Sequence, residues 1–115
     1  MEKNVEISML CEIYGKLLTE KQITILNDYY NNDYTLSEIA ENHQITRQAV
    51  RDNIKKGENK LFELEEKLGV MKRMLNQEKA IEHILSELNK ITTEDSDKRV
   101  SKILDNVKKE LNCLV

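Results

Sequence analysis

No proline interrupts this chain, and only three glycines, Gly15, Gly57 and Gly69, occur in its 115 residues. The two residue types that most often break helices are therefore almost missing. Runs of β-branched residues bounded by turn signals are missing too, which speaks against strands and for helices throughout. No apolar run approaches the roughly 18 residues that a membrane span needs. The N-terminus is acidic and carries no long apolar segment, so no signal peptide is expected and the expected location is cytoplasmic. Cysteine is scarce: Cys11 and Cys113 lie far apart, without metal-ligand spacing, and read as reduced thiols rather than a disulfide or metal framework.

What the chain does have is charge, 34% of its residues against 39% hydrophobic ones. That balance suits long helices with one exposed face. The net charge of −3 argues against whole-surface attraction to nucleic acid or anionic lipid, but the charge is unevenly spread. Residues 1–45 hold three lysines against eight acids, a net of −5, and residues 74–115 hold seven bases against eight acids, a net of −1. Between them, residues 46–73 hold eight bases against five acids, a net of +3 and a localised basic footprint.

Apolar spacing predicts the helices one by one. Ile7, Leu10, Cys11, Tyr14, Leu17 and Leu18 recur at three- and four-residue steps and mark a first helix. Thr19 with Gln22 is a capping-box pattern that opens a second, whose buried face would be Ile23, Leu26, Tyr29 and Tyr30. Asn31-Asn32-Asp33 ends it, because such side chains compete for backbone hydrogen bonds and favour turns. Thr35 with Glu38 repeats the capping box and opens a short third helix. Thr46 is an N-cap for a long fourth one, along which Val50, Ile54, Gly57, Leu61, Leu64 and Leu68 form a lengthwise seam. Gly69 suits the left-handed residue that closes it. Met71, Met74, Ile81, Leu85 and Leu88, widened by Ile84 and Ile91, mark a fifth helix. After a polar break over residues 92–97, Val100, Ile103, Leu104, Val107 and Leu111 mark a sixth.

The informative segment is Leu36 to Val50. A helix-turn-helix needs a small residue where its helices cross, and Ala40 supplies it; Ile39, Ile45, Val50 and Ile54 would pin both helices to the core. The second helix then carries its polar residues outward. Thr46, Arg47, Gln48 and Arg51 stand at its start, where such helices meet base edges in the major groove. Arg can pair bidentately with guanine and Gln with adenine. Lys55 and Lys56, one turn on, suit phosphates. Asp52 could accept from cytosine, though a solvated acid is the plainer reading.

Leu18-Thr19-Glu20-Lys21-Gln22, then Tyr29-Tyr30, Leu36-Ser37-Glu38-Ile39-Ala40 and Ile45-Thr46-Arg47-Gln48-Ala49-Val50, resemble the promoter-binding helix-turn-helix of bacterial sigma factors. The whole chain, with its length and the Glu63-Leu64-Glu65-Glu66-Lys67-Leu68-Gly69 end of the fourth helix, resembles the small YlxM family. That resemblance implies a DNA-binding regulator connected, through gene neighbourhood, with the signal recognition particle pathway. Where the family has an apolar residue and then Gly at the turn, this chain has His43 and Gln44. A non-glycine residue at positive φ there would cost roughly 1 kcal/mol.

The expected fold is all-α: a sigma-like helix-turn-helix head with a long fourth helix and a C-terminal helical pair. Residues 1–69 would be the head, winged-helix-like or like sigma region 4, with an extended recognition helix. Residues 70–115 would be a helical hairpin serving packing or oligomerisation. Because the stripes from residue 57 onward must be covered, a homodimer through those helices is expected. Two recognition helices about 34 Å apart would meet successive major grooves.

No enzyme is expected, and no cofactor. His43 reads as a packing or capping residue at the turn without a carboxylate partner, and His83 as an exposed residue without zinc-ligand neighbours. The acidic run from Glu94 to Asp97 lacks the glycine and distal Glu of a calcium loop and reads as helix-start charge. Two alternatives to DNA stay open: RNA contact by shape and phosphate, and a protein-interaction role in which the nucleic-acid face is vestigial.

Overall fold

The computed structural model describes residues 1–94 and 98–114, and among these it contains six helices and no strand. They are α1 (Lys3–Tyr14), α2 (Glu20–Tyr30), α3 (Leu36–His43), α4 (Arg47–Leu68), α5 (Val70–Glu94) and α6 (Lys98–Leu114), with a 3-10 turn over Gly15–Leu17. Three threonines set the starts of α2, α3 and α4. Thr19 accepts from the Gln22 amide and Thr35 from the Glu38 amide, both at 3.1 Å, and the Gln22 and Glu38 side chains return the bond to the threonine amide. Thr46 accepts from the Ala49 amide at 3.0 Å. Each cap satisfies an amide that the helix itself cannot, so the three starts are fixed locally.

Residues Met1–Met71 form one compact unit. Helix α4 is its axis, packed by α1, α2 and α3. Ile7 and Leu10 from α1, Ile25 and Leu26 from α2, Ile39 from α3, and Val50 and Leu61 from α4 have no solvent exposure. Burying each such side chain contributes on the order of 1.5–3 kcal/mol. Gly57 lets α2 approach α4 closely: a Cβ there would lie 2.7 Å from Leu26 Cδ1.

Several expected core positions differ. The buried sector of α2 centres between Ile25 and Leu26, which leaves Ile23 and Tyr30 half-buried at its edges, and Tyr29, in the last turn, is exposed. Leu17 is exposed because the tighter 3-10 winding after Tyr14 turns it off the α1 stripe. The α4 seam is buried from Val50 to Leu61, half-buried at Leu64 and exposed at Leu68.

The residues from Lys72 onward form a second compact unit. On its part of α5, Ile81 is buried, Leu75, Leu85 and Leu88 are half-buried, and Met74 and Ile84 are exposed. On α6, Leu104 and Leu111 are half-buried, whereas Val100, Ile103 and Val107 are exposed. Helix α5 continues through Glu94, past the expected start of the polar break at residue 92. Residues 95–97, which complete that break and the acidic run, lie outside the described residues, as does the Ile91 side chain. No helix among the described residues is long and apolar enough to cross a membrane.

Candidate nucleic-acid interface

The turn between α3 and α4 is built from backbone hydrogen bonds that a left-handed residue completes. Gln44 has φ 55°, its amide donates to the Glu41 carbonyl at 3.2 Å, and the Ile45 amide donates to the Ala40 carbonyl at 3.0 Å. This is the Schellman closure, and it turns the chain abruptly into the Thr46 cap. Gln44 thus occupies the conformation that glycine takes most easily.

His43 corrects one expectation: its Nε2 lies 3.2 Å from Oδ2 of Asp28 on α2, so a carboxylate partner is present. Asp28 is fifteen residues earlier in the chain, beyond any local spacing. The contact clips the end of α3 to α2.

The two helices are then held as a unit. Ile39 and Val50 are wholly buried, Ala40 and Ile54 nearly so, and Ile45 is half-buried beside the turn. With that face inward, Arg47, Gln48, Arg51, Lys55 and Lys56 are all exposed. Arg47, Arg51 and Lys55 follow at four-residue steps, a cationic row about 12 Å long at 1.5 Å per residue. The first turn of α4 carries no acidic residue. Among the described residues, none of Arg47, Arg51, Lys55 and Lys56 is held in an ion pair. Gln48 instead donates to Asp52 Oδ1 at 3.1 Å, which ties the two polar candidates to each other. The Thr46 hydroxyl is directed at its own helix by the cap.

The two lysines expected to act together are on different sides of α4. Lys55 lines a cleft with Arg51, Tyr29 and Tyr30, and Lys56 lines a separate groove with Lys60 and Gln22. Successive helical residues are about 100° apart, so neighbours in sequence seldom share a surface. The first cleft also includes Lys3, which arrives from the start of α1 and bonds Glu58 Oε2 at 3.3 Å. Only the packing of α1 on α4 brings it there; no motif in the sequence marks it. His83 is exposed, and so is Tyr34, in the turn between α2 and α3.

Comparison with known proteins agrees with this geometry. Residues 1–107 match the family model UPF0122, described as YlxM/p13-like helix-turn-helix proteins. A UPF0122 protein of Acetivibrio thermocellus is 41% identical over 115 residues, covering 100% of this chain and 98% of its own. One from Clostridium perfringens is 40% identical over 111 residues, 96% of this chain and 97% of its own. One from Listeria monocytogenes is 42% identical over 89 residues, 77% of this chain and 81% of its own.

Proposed function

The chain belongs to the UPF0122 family of YlxM/p13-like helix-turn-helix proteins, and on that premise we propose that it is a duplex-DNA-binding regulator rather than an enzyme. The observation that carries the proposal is the exposed, unpaired row of Arg47, Arg51 and Lys55 along the start of a helix whose opposite face is buried. In this reading Arg47 and Arg51 read base edges, Gln48 joins them on release from Asp52, and the Thr46 cap sets the helix end against the backbone. Lys55 and Lys56, on two flanks of α4, hold phosphates on either side of the groove.

A homodimer formed by the exposed apolar residues of α5 and α6 would present two such helices, which suits a two-fold site. The link to the signal recognition particle pathway, implied by the resemblance, is carried as part of the same proposal. RNA of that particle is the alternative ligand, and a protein of that system the third.

Salt-dependent binding to duplex DNA tests the reading. Two to four phosphates neutralised per head give a log–log slope between about −2 and −4. Arg51→Ala relaxes sequence preference, whereas Lys56→Ala weakens all duplexes alike and flattens the slope by about one. Equal binding by the Arg47→Glu/Arg51→Glu variant would move the function to another surface.

A further inference from the structure

Beside the recognition helix opens a cleft of about 260 Å³, lined by the aromatic Tyr29 and Tyr30, the apolar Leu36 and Ile54, and the cationic Lys3, Arg51 and Lys55. The two tyrosine rings meet edge to face, with centroids 5.0 Å apart and planes at 87°. One carboxylate also lines the cleft, Glu58, and both its oxygens are engaged: the Tyr30 hydroxyl donates to Oε1, and Lys3 Nζ lies near Oε2. Three cations against one carboxylate leave two net positive charges in the lining. Burial, and then the bond to Glu58, push the Tyr30 phenol well above its usual range, so it stays a neutral ring that keeps Glu58 occupied.

These features define a ligand class. An aromatic wall accepts a planar ring, and an arginine fork with a lysine beside it accepts a phosphate. The volume falls below the roughly 300–1,000 Å³ of clefts that enclose larger ligands, so one ring and one phosphate is the limit. We propose that the cleft is a seat for a free mononucleotide, its base on the tyrosine wall and its phosphate between Arg51 and Lys55. Because those two cations also belong to the duplex face, ligand and DNA compete for them, and the chain releases DNA when the nucleotide is abundant. That competition rests on the function proposed above; occupancy of the cleft does not.

Aromatic-ring NMR on the full chain separates the two, since four tyrosines and one phenylalanine give few signals. On titration with AMP, the Tyr29 and Tyr30 rings shift while the buried Tyr14 ring does not. Adenosine and inorganic phosphate, each lacking one half of the ligand, bind about ten-fold or more weakly. Tyr29→Leu and Lys55→Gln each weaken AMP by about ten-fold, and Lys60→Gln, in the groove with Lys56, leaves it unchanged. No shift of Tyr29 or Tyr30 by about 10 mM AMP overturns the seat, as does phosphate binding as tightly as AMP. A single-stranded trinucleotide binding far more tightly than AMP would assign the cleft to a strand and overturn the free ligand. AMP seated at Tyr29 without displacing a bound duplex overturns the competition. A chain that seats AMP but binds no duplex keeps the cleft and sinks the DNA reading.

Discussion

The Tyr14 hydroxyl donates to Glu65 Oε1 at 2.7 Å, across 51 residues of chain. The same oxygen accepts the Met71 amide at 3.0 Å, and the Tyr14 oxygen accepts the Val70 amide at 3.2 Å. The first amides of a helix have no partner within it, and here two side chains of the head supply them. Gly69 makes this possible: at φ 61° it closes α4, and α5 begins at the next residue without a linker.

Tyr14→Phe removes the hydroxyl but keeps the ring in the core. The Val70 amide loses its acceptor and the Glu65 carboxylate a donor, at a cost of about 1–2 kcal/mol. Urea denaturation followed by circular dichroism measures it. A midpoint equal to that of the parent chain would show that these bonds contribute nothing to stability.

Gln44 holds a left-handed backbone at the helix-turn-helix corner. Gln44→Gly relieves that strain and offsets the added freedom of the unfolded chain, for a net gain of up to about 1 kcal/mol. The helix-turn-helix geometry is unchanged, so nucleic-acid binding stays within about two-fold of the parent. Thermal melts of the two chains decide the point, and a lower melting temperature for the glycine variant contradicts it.

Cys11 is half-buried, and burial pushes its thiol up to about 11 from 9.0. A pKa raised on folding contributes stability that is complete below pH 9 and is lost as pH rises through 11. Tyr30, shifted the same way, adds to this alkaline loss at higher pH. At pH 8 a thiol so shifted holds about a hundredth of the thiolate of an unshifted one. Iodoacetamide therefore labels exposed Cys113 first, and mass spectrometry of the peptides reads the order. Faster labelling of Cys11 would contradict its burial.

Ile103 is 63% exposed, with Val100 and Val107 beside it on the same side of α6. If that stripe joins two copies, Ile103→Asp shifts the chain from dimer to monomer in sedimentation equilibrium while helix content is kept. A parent chain that is monomeric at every micromolar concentration contradicts the assembly.

The parts of the fold that depend on residues close in sequence are legible in the sequence itself. Thr19 with Gln22, Thr35 with Glu38, Thr46 alone, and Gly69 each act within a few residues, and each sits where its spacing says. Contacts between distant residues are not legible there. His43 with Asp28, Tyr14 with Glu65, and Lys3 with Glu58 depend on how the helices pack. Apolar spacing misplaces Tyr29, which stands in the last turn of α2 and is exposed. At the candidate interface, the exposure of Arg47, Arg51 and Lys55 follows from the apolar positions opposite them. The division of Lys55 from Lys56 does not, because it depends on which helix flanks each side of α4.

The most direct test of the cationic row is recovery of nucleic acid bound in cells by the full chain and by its Arg47→Ala/Arg51→Ala variant, with DNA and RNA sequenced from both. Duplex DNA fragments sharing a sequence element are expected with the parent chain, and loss of that enrichment with the variant, whose melting temperature stays within about 2 °C because both arginines are exposed. Equal enrichment by both chains, or recovery of RNA alone, would contradict that expectation.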